Sequence, residues 1–297
     1  MPTAPDAGID RELLRQVEAD VARALAEDVG DGDLSAALVP DGAARATIVC
    51  REAAVICGQP WVMETLRQAA PSAVATWHVA DGGRCARGQA IVEIAGAARG
   101  LLTAERTCLN FLQTLSAVAT RTAQHVEAVA GTGAAILDTR KTIPGLRVAQ
   151  KYAVRCGGGR NHRMGLYDAI LIKENHIAAA GGLGAAFAAA QRLGAGARFI
   201  QVEVETLDQL EEALQAGVSM VLLDNMSTAQ IRRAVALAAG RCSLEVSGGV
   251  TLERLRELAE TGVDRISVGA LIKDIRAIDF SMRFQAAPVE CAAAMPG

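Results

Sequence analysis

The chain has 297 residues, enough for one large or two ordinary domains, and a formal charge of −3. Apolar residues make up 51% of it, yet no run of ~20 could span a bilayer, and the start MPTAPDAGIDRELLRQ lacks the basic leader and apolar core of a signal peptide. A cytoplasmic protein with no membrane partner is expected, and the acidic balance argues against nucleic acid.

In chain order, the first pattern is a helix over about 10–27, with Asp10 as cap, Leu13, Val17, Val21 and Leu25 at spacing four, and Gly30 beyond its end. Short β-like runs (ATIVC, AAVIC, AVATWHV, AIVEIA) between 43 and 95 are separated by turns such as DGGR. A second helix is expected from near Thr103, carrying Leu109, Leu112, Leu115 and Val118. Together these predict a small α+β domain over 1–118. Seven scattered cysteines (Cys50, Cys57, Cys85, Cys108, Cys156, Cys242, Cys291) form no CxxC pair and read as reduced small hydrophobes.

After Gly131 the pattern changes. Apolar runs begin AILDT, AILIK, FIQVEVE, MVLLDN, SLEVSGG and RISVGA, with helix-length segments such as LDQLEEALQAG and TLERLRELAETG between them. Strand–helix alternation with right-handed crossovers gives a parallel α/β sheet, and this spacing favours a barrel. Six clear runs are too few for a closed eight-stranded one, so an incomplete barrel is expected over 119–279.

Nearly every run ends in polar or glycine residues: Asp138-Thr139-Arg140-Lys141, Lys173-Glu174-Asn175, Glu203 and Glu205, Asp224-Asn225, Ser247-Gly248-Gly249, and Ser267-Val268-Gly269. The carboxyl ends of parallel barrel strands open on one face, where active sites lie. In QVEVE the alternation puts Gln201, Glu203 and Glu205 inward and Val202 and Val204 outward. Inward carboxylates need partners. One reading is an ion pair with an inward Arg or Lys; the other is that Glu203 and Asp224 hold a ribose diol or a Mg2+ ion, directly or through water. The glycine turns at 247–249 and 267–269 suit phosphate, because backbone N–H groups can approach closely there. Gly131-Thr132-Gly133 precedes a strand and is wrong for a dinucleotide fingerprint. Gly157-Gly158-Gly159 reads as a flexible turn bringing Arg160, His162 and Arg163 to the mouth.

From Arg140 to Lys173 the sequence places Arg140, Lys141, Arg147, Lys151, Arg155, Arg160, Arg163 and Lys173 against the single acid Asp168. Three of the chain's four lysines lie here; the fourth, Lys273, reads as the end of another strand. Such a block is either a solvated face or a site. Arg140, Lys141, Arg163, Lys173 and His162 opposite a smaller acidic group suit one ligand with several carboxylates and a second with phosphate or pyrophosphate. A lone histidine is more often a core or loop residue, and its setting beside Arg163 favours a ligand contact.

The segments LLTAERTCLNFLQTLSAVAT, DTRKTIPGLR, KYAVRCGGGRNHRMGLYDAILIKENH, VEVET, LLDNM, EVSGG and ISVGAL, in this order over roughly 10–285, resemble the quinolinate phosphoribosyltransferase (nicotinate-nucleotide pyrophosphorylase) family. The resemblance implies an N-terminal α/β sandwich, completed by the C-terminal segment 280–297, and an open α/β barrel of about six to seven parallel strands. It implies phosphoribosyl transfer to quinolinate with decarboxylation, in NAD biosynthesis, with Mg2+. Arg106, Arg140, His162, Arg163 and Lys173 match the quinolinate side. Lys141, Glu203, Asp224, Ser247, Gly248, Gly249 and Gly269 match the phosphoribosyl pyrophosphate side, with Thr139, Ser267 and Val268 beside them. Lys141, Glu203 and Asp224 carry the catalytic assignment. A homodimer or a hexamer of dimers is implied, with Arg106 lent across the interface. At Ile272 and Lys273 many members have Thr followed by His or Lys, so Ile272 lacks a hydroxyl. Rival readings are a paralogue acting on another pyridine acid or in molybdenum uptake, and a Schiff-base aldolase using Lys173.

Overall fold

The computed structural model describes residues 10–286. The chain divides into two compact units: residues up to Ala117 together with those from Arg276 on, and Val118–Ile275.

The first unit opens with α1 (Arg11–Asp28), capped by Asp10, whose carboxylate accepts from the Leu13 N–H at 2.8 Å. Leu13, Val17 and Val21 are buried, as the spacing requires. β1 (Ala43–Cys50), β2 (Ala54–Val55), α2 (Gln59–Ala69), β3 (Val74–Trp77), β4 (Arg84–Cys85) and β5 (Ala90–Ala97) follow. α3 (Ala98–Ala128) starts directly after β5, earlier than the expected Thr103. The added first turn includes Gly100, a poor helix former, where a Cβ would lie 3.0 Å from Ala70 Cβ. This glycine serves close helix packing.

In the second unit come β6 (Ala135–Leu137), α4 (Arg147–Cys156), β7 (Ile170–Ile172), α5 (Glu174–Ala180), α6 (Leu183–Leu193), β8 (Ile200–Val204) and α7 (Leu207–Gln215). Then follow β9 (Met220–Asp224), α8 (Thr228–Ala238), β10 (Ser243–Ser247), α9 (Leu255–Ala259), β11 (Arg265–Ser267) and the short α10 (Ala270–Lys273). The strands form one parallel sheet in the order β6-β11-β10-β9-β8-β7. A parallel bridge from Leu137 to Arg160 adds the start of a seventh strand beside β6. This is the expected open barrel. Val202, Val204, Val221, Leu223, Val246 and Ile266, on the alternate face from Gln201 and Glu245, are all buried.

Three local expectations are corrected. Glu205 does not point into the barrel: β8 ends at Val204, Glu205 is exposed, and its N–H is held by Gln209 at 2.7 Å in the capping turn of α7. Gly157 and Gly159 are set by crowding, since Cβ atoms there would lie 2.4 Å from Ala119 O and 2.7 Å from Thr122 Cγ2. Lys273 ends a helical turn and is exposed.

β12 (Phe280–Ala286) pairs antiparallel with β1, giving the sheet β12-β1-β5-β3 of the first unit. The rest of the 280–297 segment, and Cys291 with it, lie outside the described residues. The other six cysteines are free thiols. Among the described residues, no helix is long and apolar enough to cross a membrane.

Candidate active site

The cationic block is built around a carboxylate that never reaches solvent. Asp138 follows β6, is 0% exposed, and accepts from the Lys151 ammonium, the His162 N–H at 2.9 Å and the Asn161 amide at 2.6 Å. Lys151, 1% exposed, also donates to the His162 carbonyl at 3.1 Å. Burial pushes the Asp138 carboxyl up and the Lys151 ammonium down, against their mutual attraction. Lys151 is therefore an internal strut, whereas Arg140, Lys141 and Arg160 are exposed. Asp168, the one acid of the block, accepts from the N–H groups of Met164 and Gly165, each at 2.9 Å, and from Arg198 at 3.1 Å. Burial works to raise its pKa, but these donors outweigh it and hold the carboxyl below its ordinary range.

His162 is buried and lies edge-on to Phe199. Its Nδ1 accepts from the Arg163 N–H at 2.8 Å, which leaves the proton on Nε2, 2.9 Å from Gln201 Oε1 and 3.4 Å from Glu245 Oε1. Burial lowers its pKa, consistent with a neutral ring. Both ring nitrogens thus have protein partners in this structure, and His162 is bonded directly to the backbone of Arg163. Gln201 donates to Glu245 at 3.1 Å and Arg265 to the same carboxylate at 3.0 Å, forming the barrel floor. Arg163 is 7% exposed and donates to the Ala169 carbonyl at 3.1 Å. Burial, then the neighbouring Arg140 charge, depresses its pKa. Two nearby guanidiniums, with the local acid already committed elsewhere, make an environment that favours an incoming carboxylate.

On the other side Lys173 lies 3.0 and 2.9 Å from the two oxygens of Glu203, so the ion-pair reading describes Glu203 in this structure. The Lys173 side chain is 43% exposed and paired, unlike the desolvated amine a Schiff-base aldolase needs. Asp224, half-buried at the end of β9, accepts from the Asn225 amide at 2.8 Å. Among the described residues, no cluster of three metal-ligating side chains includes Glu203 or Asp224. Two hard carboxylates without a third suit Mg2+ that keeps waters and a phosphorylated ligand, rather than a closed protein cage.

The ends of β9 to β11 are shaped by backbone. Gly248 has φ +87°, and a Cβ there would lie 2.1 Å from Asn225 Oδ1; Gly249 has φ +56°. Asn225 itself is at φ 52° and donates its N–H to Ser247 O at 3.1 Å. Lys141 reaches this side, since a Cβ on Gly269 would meet its Cδ at 2.9 Å, while its own N–H donates to Thr139 Oγ1 at 3.1 Å. Ser267 and Val268 are buried, and Val268 N–H bonds Leu137 O at 2.9 Å. The Ile272 side chain is fully buried, so it belongs to the core rather than the mouth. Arg106 is exposed on α3.

Sequence reasoning assigned no role to Gln201, Glu245, Arg265, Asn161 or Asn225, nor to Lys151 beyond its charge. For Gln201 and Glu245 the signal was present: alternation in IQVEV and SLEVS puts each on the inward face.

Residues 33–116 match the quinolinate phosphoribosyl transferase N-terminal domain, and residues 118–283 match its C-terminal domain. The nicotinate-nucleotide pyrophosphorylase (carboxylating) of Mycobacterium leprae is 43% identical over 270 residues, covering 88% of this chain and 95% of that one. The probable nicotinate-nucleotide pyrophosphorylase (carboxylating) of Bacillus subtilis is 40% identical over 257 residues, covering 86% and 89%. The solved structure of the nicotinate-nucleotide pyrophosphorylase from Francisella tularensis superposes with a TM-score of 0.91 at 44% identity, covering 96% of this chain and all of that one. With both domains matched in order and relatives this similar along nearly the whole length, the chain belongs to the quinolinate phosphoribosyltransferase family.

Proposed function

We propose that the chain joins the ring nitrogen of quinolinate to the anomeric carbon of phosphoribosyl pyrophosphate, releasing pyrophosphate and CO2 and giving nicotinate mononucleotide for NAD synthesis. One observation carries the residue assignment. Arg140 follows β6, Arg163 lies in the loop before β7, Lys173 follows β7, and the turns at Gly248, Gly249 and Gly269 follow β10 and β11, so all of them leave the carboxyl ends of one parallel sheet.

Arg140 and Arg163 hold the two carboxylates, since a guanidinium fork matches a carboxylate and the partial burial of Arg163 strengthens the attraction. His162 sets the Arg163 backbone from below. A ligand carboxylate competes with Glu203 for Lys173, which releases Glu203 toward the ribose hydroxyls. Glu203 and Asp224 then face positive charge developing at the anomeric carbon, a preorganised electrostatic stabilisation. Lys141 and the backbone N–H groups around Ser247, Gly248, Gly249 and Gly269 receive the phosphates, with Thr139, Ser267 and Val268 fixing these turns. Mg2+, carried with the pyrophosphate and held by Glu203 and Asp224, would supply charge neutralisation on the leaving group. As the C–N bond forms, the ring nitrogen becomes cationic. The adjacent carboxylate leaves as CO2, and its bonding electrons remain on the ring carbon until a proton is taken up. Orientation and charge placement supply most of the catalysis.

The working unit is a cytoplasmic homodimer, alone or as a hexamer of dimers, with Arg106 completing the neighbouring copy's site. The exposure of Arg106 on α3 supports this reading, since a residue lent to a neighbouring copy must reach the surface.

The test is turnover with phosphoribosyl pyrophosphate and Mg2+. Quinolinate is expected to exceed nicotinate by ~10²-fold or more in kcat/KM, because nicotinate leaves a buried guanidinium unpaired. Equal turnover of the two acids would contradict the assignment.

A further inference from the structure

Two members of the cationic block are engaged by the protein itself, the buried Lys151 and the half-buried Arg147. Arg147, Gln150 and Lys151 lie at i, i+3 and i+4 on α4 and so share one helical face. Arg147 reaches three acceptors: Thr142 Oγ1 at 3.0 Å, the Met164 carbonyl at 3.1 Å and the Arg140 carbonyl at 3.4 Å. Gln150 accepts from the Ile143 N–H at 2.8 Å and donates to the Ile272 carbonyl at 2.9 Å. Lys151, paired with Asp138, holds the His162 carbonyl, while Asp138 holds the His162 N–H. One face of α4 is therefore bonded to both segments that carry carboxylate-binding arginines, 140–143 around Arg140 and 162–164 around Arg163.

We infer that Arg147 and Lys151 are positioning residues for quinolinate, fixing the spacing between Arg140 and Arg163 without touching the ligand. The inference rests on the assignment of those two arginines to the carboxylates. A dicarboxylate on adjacent ring carbons demands two guanidiniums at a set distance. Arg140 is exposed and Arg163 sits in a loop, so neither could hold that distance on its own segment. A planar fork with several donors can tie two segments together at once, which a point charge cannot. The buried Asp138–Lys151 pair is costly to desolvate, and clamping both backbone polar groups of one residue, His162, gives it a use that an apolar pair could not supply.

The experiment compares Arg147→Met, Lys151→Met and Arg147→Lys with wild type, using calorimetric titration of quinolinate and of phosphoribosyl pyrophosphate well below each melting temperature. Removing Arg147 strands only oxygen acceptors at a half-buried position that water can reach, so this variant is expected to fold even where Lys151→Met does not. Arg147→Met is expected to weaken quinolinate by ~10²-fold, the scale of an ångström-level misplacement, with phosphoribosyl pyrophosphate affinity unchanged. Arg147→Lys should recover only part of the loss. If melting falls while both ligands bind each folded molecule normally, the residues are merely structural and the inference is overturned. Arg163→Ala runs alongside: normal quinolinate binding there would sink the carboxylate assignment itself, a separate failure.

Discussion

Around the end of β6, side chains go inward and are consumed: Asp138, Lys151, His162 and Arg163 are all buried, and each bonds to backbone. At the ends of β9 and β10 it is the main chain that is unusual, with Asn225, Gly248 and Gly249 all at positive φ. The first region anchors cations on buried partners; the second takes the chain through left-handed conformations that favour glycine. Under the proposed function, the contrast would correspond to the two substrates. A flat dicarboxylate is recognised by charges at fixed spacing, and a phosphate by backbone donors close at hand.

The largest expected effect tests whether the anchored side is complete within one chain. Arg106→Ala and Lys141→Ala should each be nearly inactive alone. After subunit exchange of an equal mixture, half the dimers are mixed and each has one site carrying neither defect, so about a quarter of wild-type activity should return. No recovery, with exchange confirmed by native mass spectrometry, would place Arg106 in its own chain's site or outside it.

Gly248→Ala should follow in size. An alanine there must adopt φ +87° and meet Asn225 Oδ1, costing about 1–3 kcal/mol in backbone strain before the clash is counted. Phosphoribosyl pyrophosphate affinity and thermal stability should fall together while quinolinate affinity holds; a selective loss of quinolinate would reverse the assignment of the two sides.

A smaller effect comes from pH. Burial holds the folded pKa of His162 below its ordinary value, so as pH falls the unfolded chain binds a proton before the folded one does. The support His162 gives is full above about pH 6.5 and declines below it. Protonating Nδ1 of the folded protein breaks its bond to the Arg163 N–H, so quinolinate affinity should hold near pH 6.5 and weaken only at lower pH, as the folded ring itself takes up a proton. His125 is also lowered, first by burial, and shifts stability with the same sign, so ligand affinity rather than melting temperature is the readout. His162→Gln should flatten the profile; an unchanged slope would remove His162 from the network.

Ile272→Thr should do least. It introduces a hydroxyl at a fully buried position, so melting should drop by about 1–3 kcal/mol equivalent with ligand affinities unchanged. Tighter phosphoribosyl pyrophosphate binding would show that this position faces the site after all.

Much of this was legible in the sequence because parallel strands announce themselves twice, by apolar runs and by polar ends. LLDN and EVSGG gave β9 and β10 together with the groups at their mouths. What could not be read was which charges face each other. Lys151 counted as one more cation in a basic block, and nothing local says that Asp138, thirteen residues earlier, meets it in the interior. Asp138 looked like a mouth residue because it follows a strand, but the loop from Asn161 folds over it. The early start of α3 runs through Gly100, a poor helix former by propensity, whose close neighbour there is Ala70.

The division of labour is tested most directly by titrating both ligands calorimetrically into Arg163→Ala and Asp224→Ala, with folding of each variant checked first. Arg163→Ala is expected to lose quinolinate and keep phosphoribosyl pyrophosphate. Asp224→Ala should keep quinolinate and lose phosphoribosyl pyrophosphate. If each folded variant loses both ligands equally, or if Arg163→Ala binds quinolinate as the wild type does, the two-sided account is wrong.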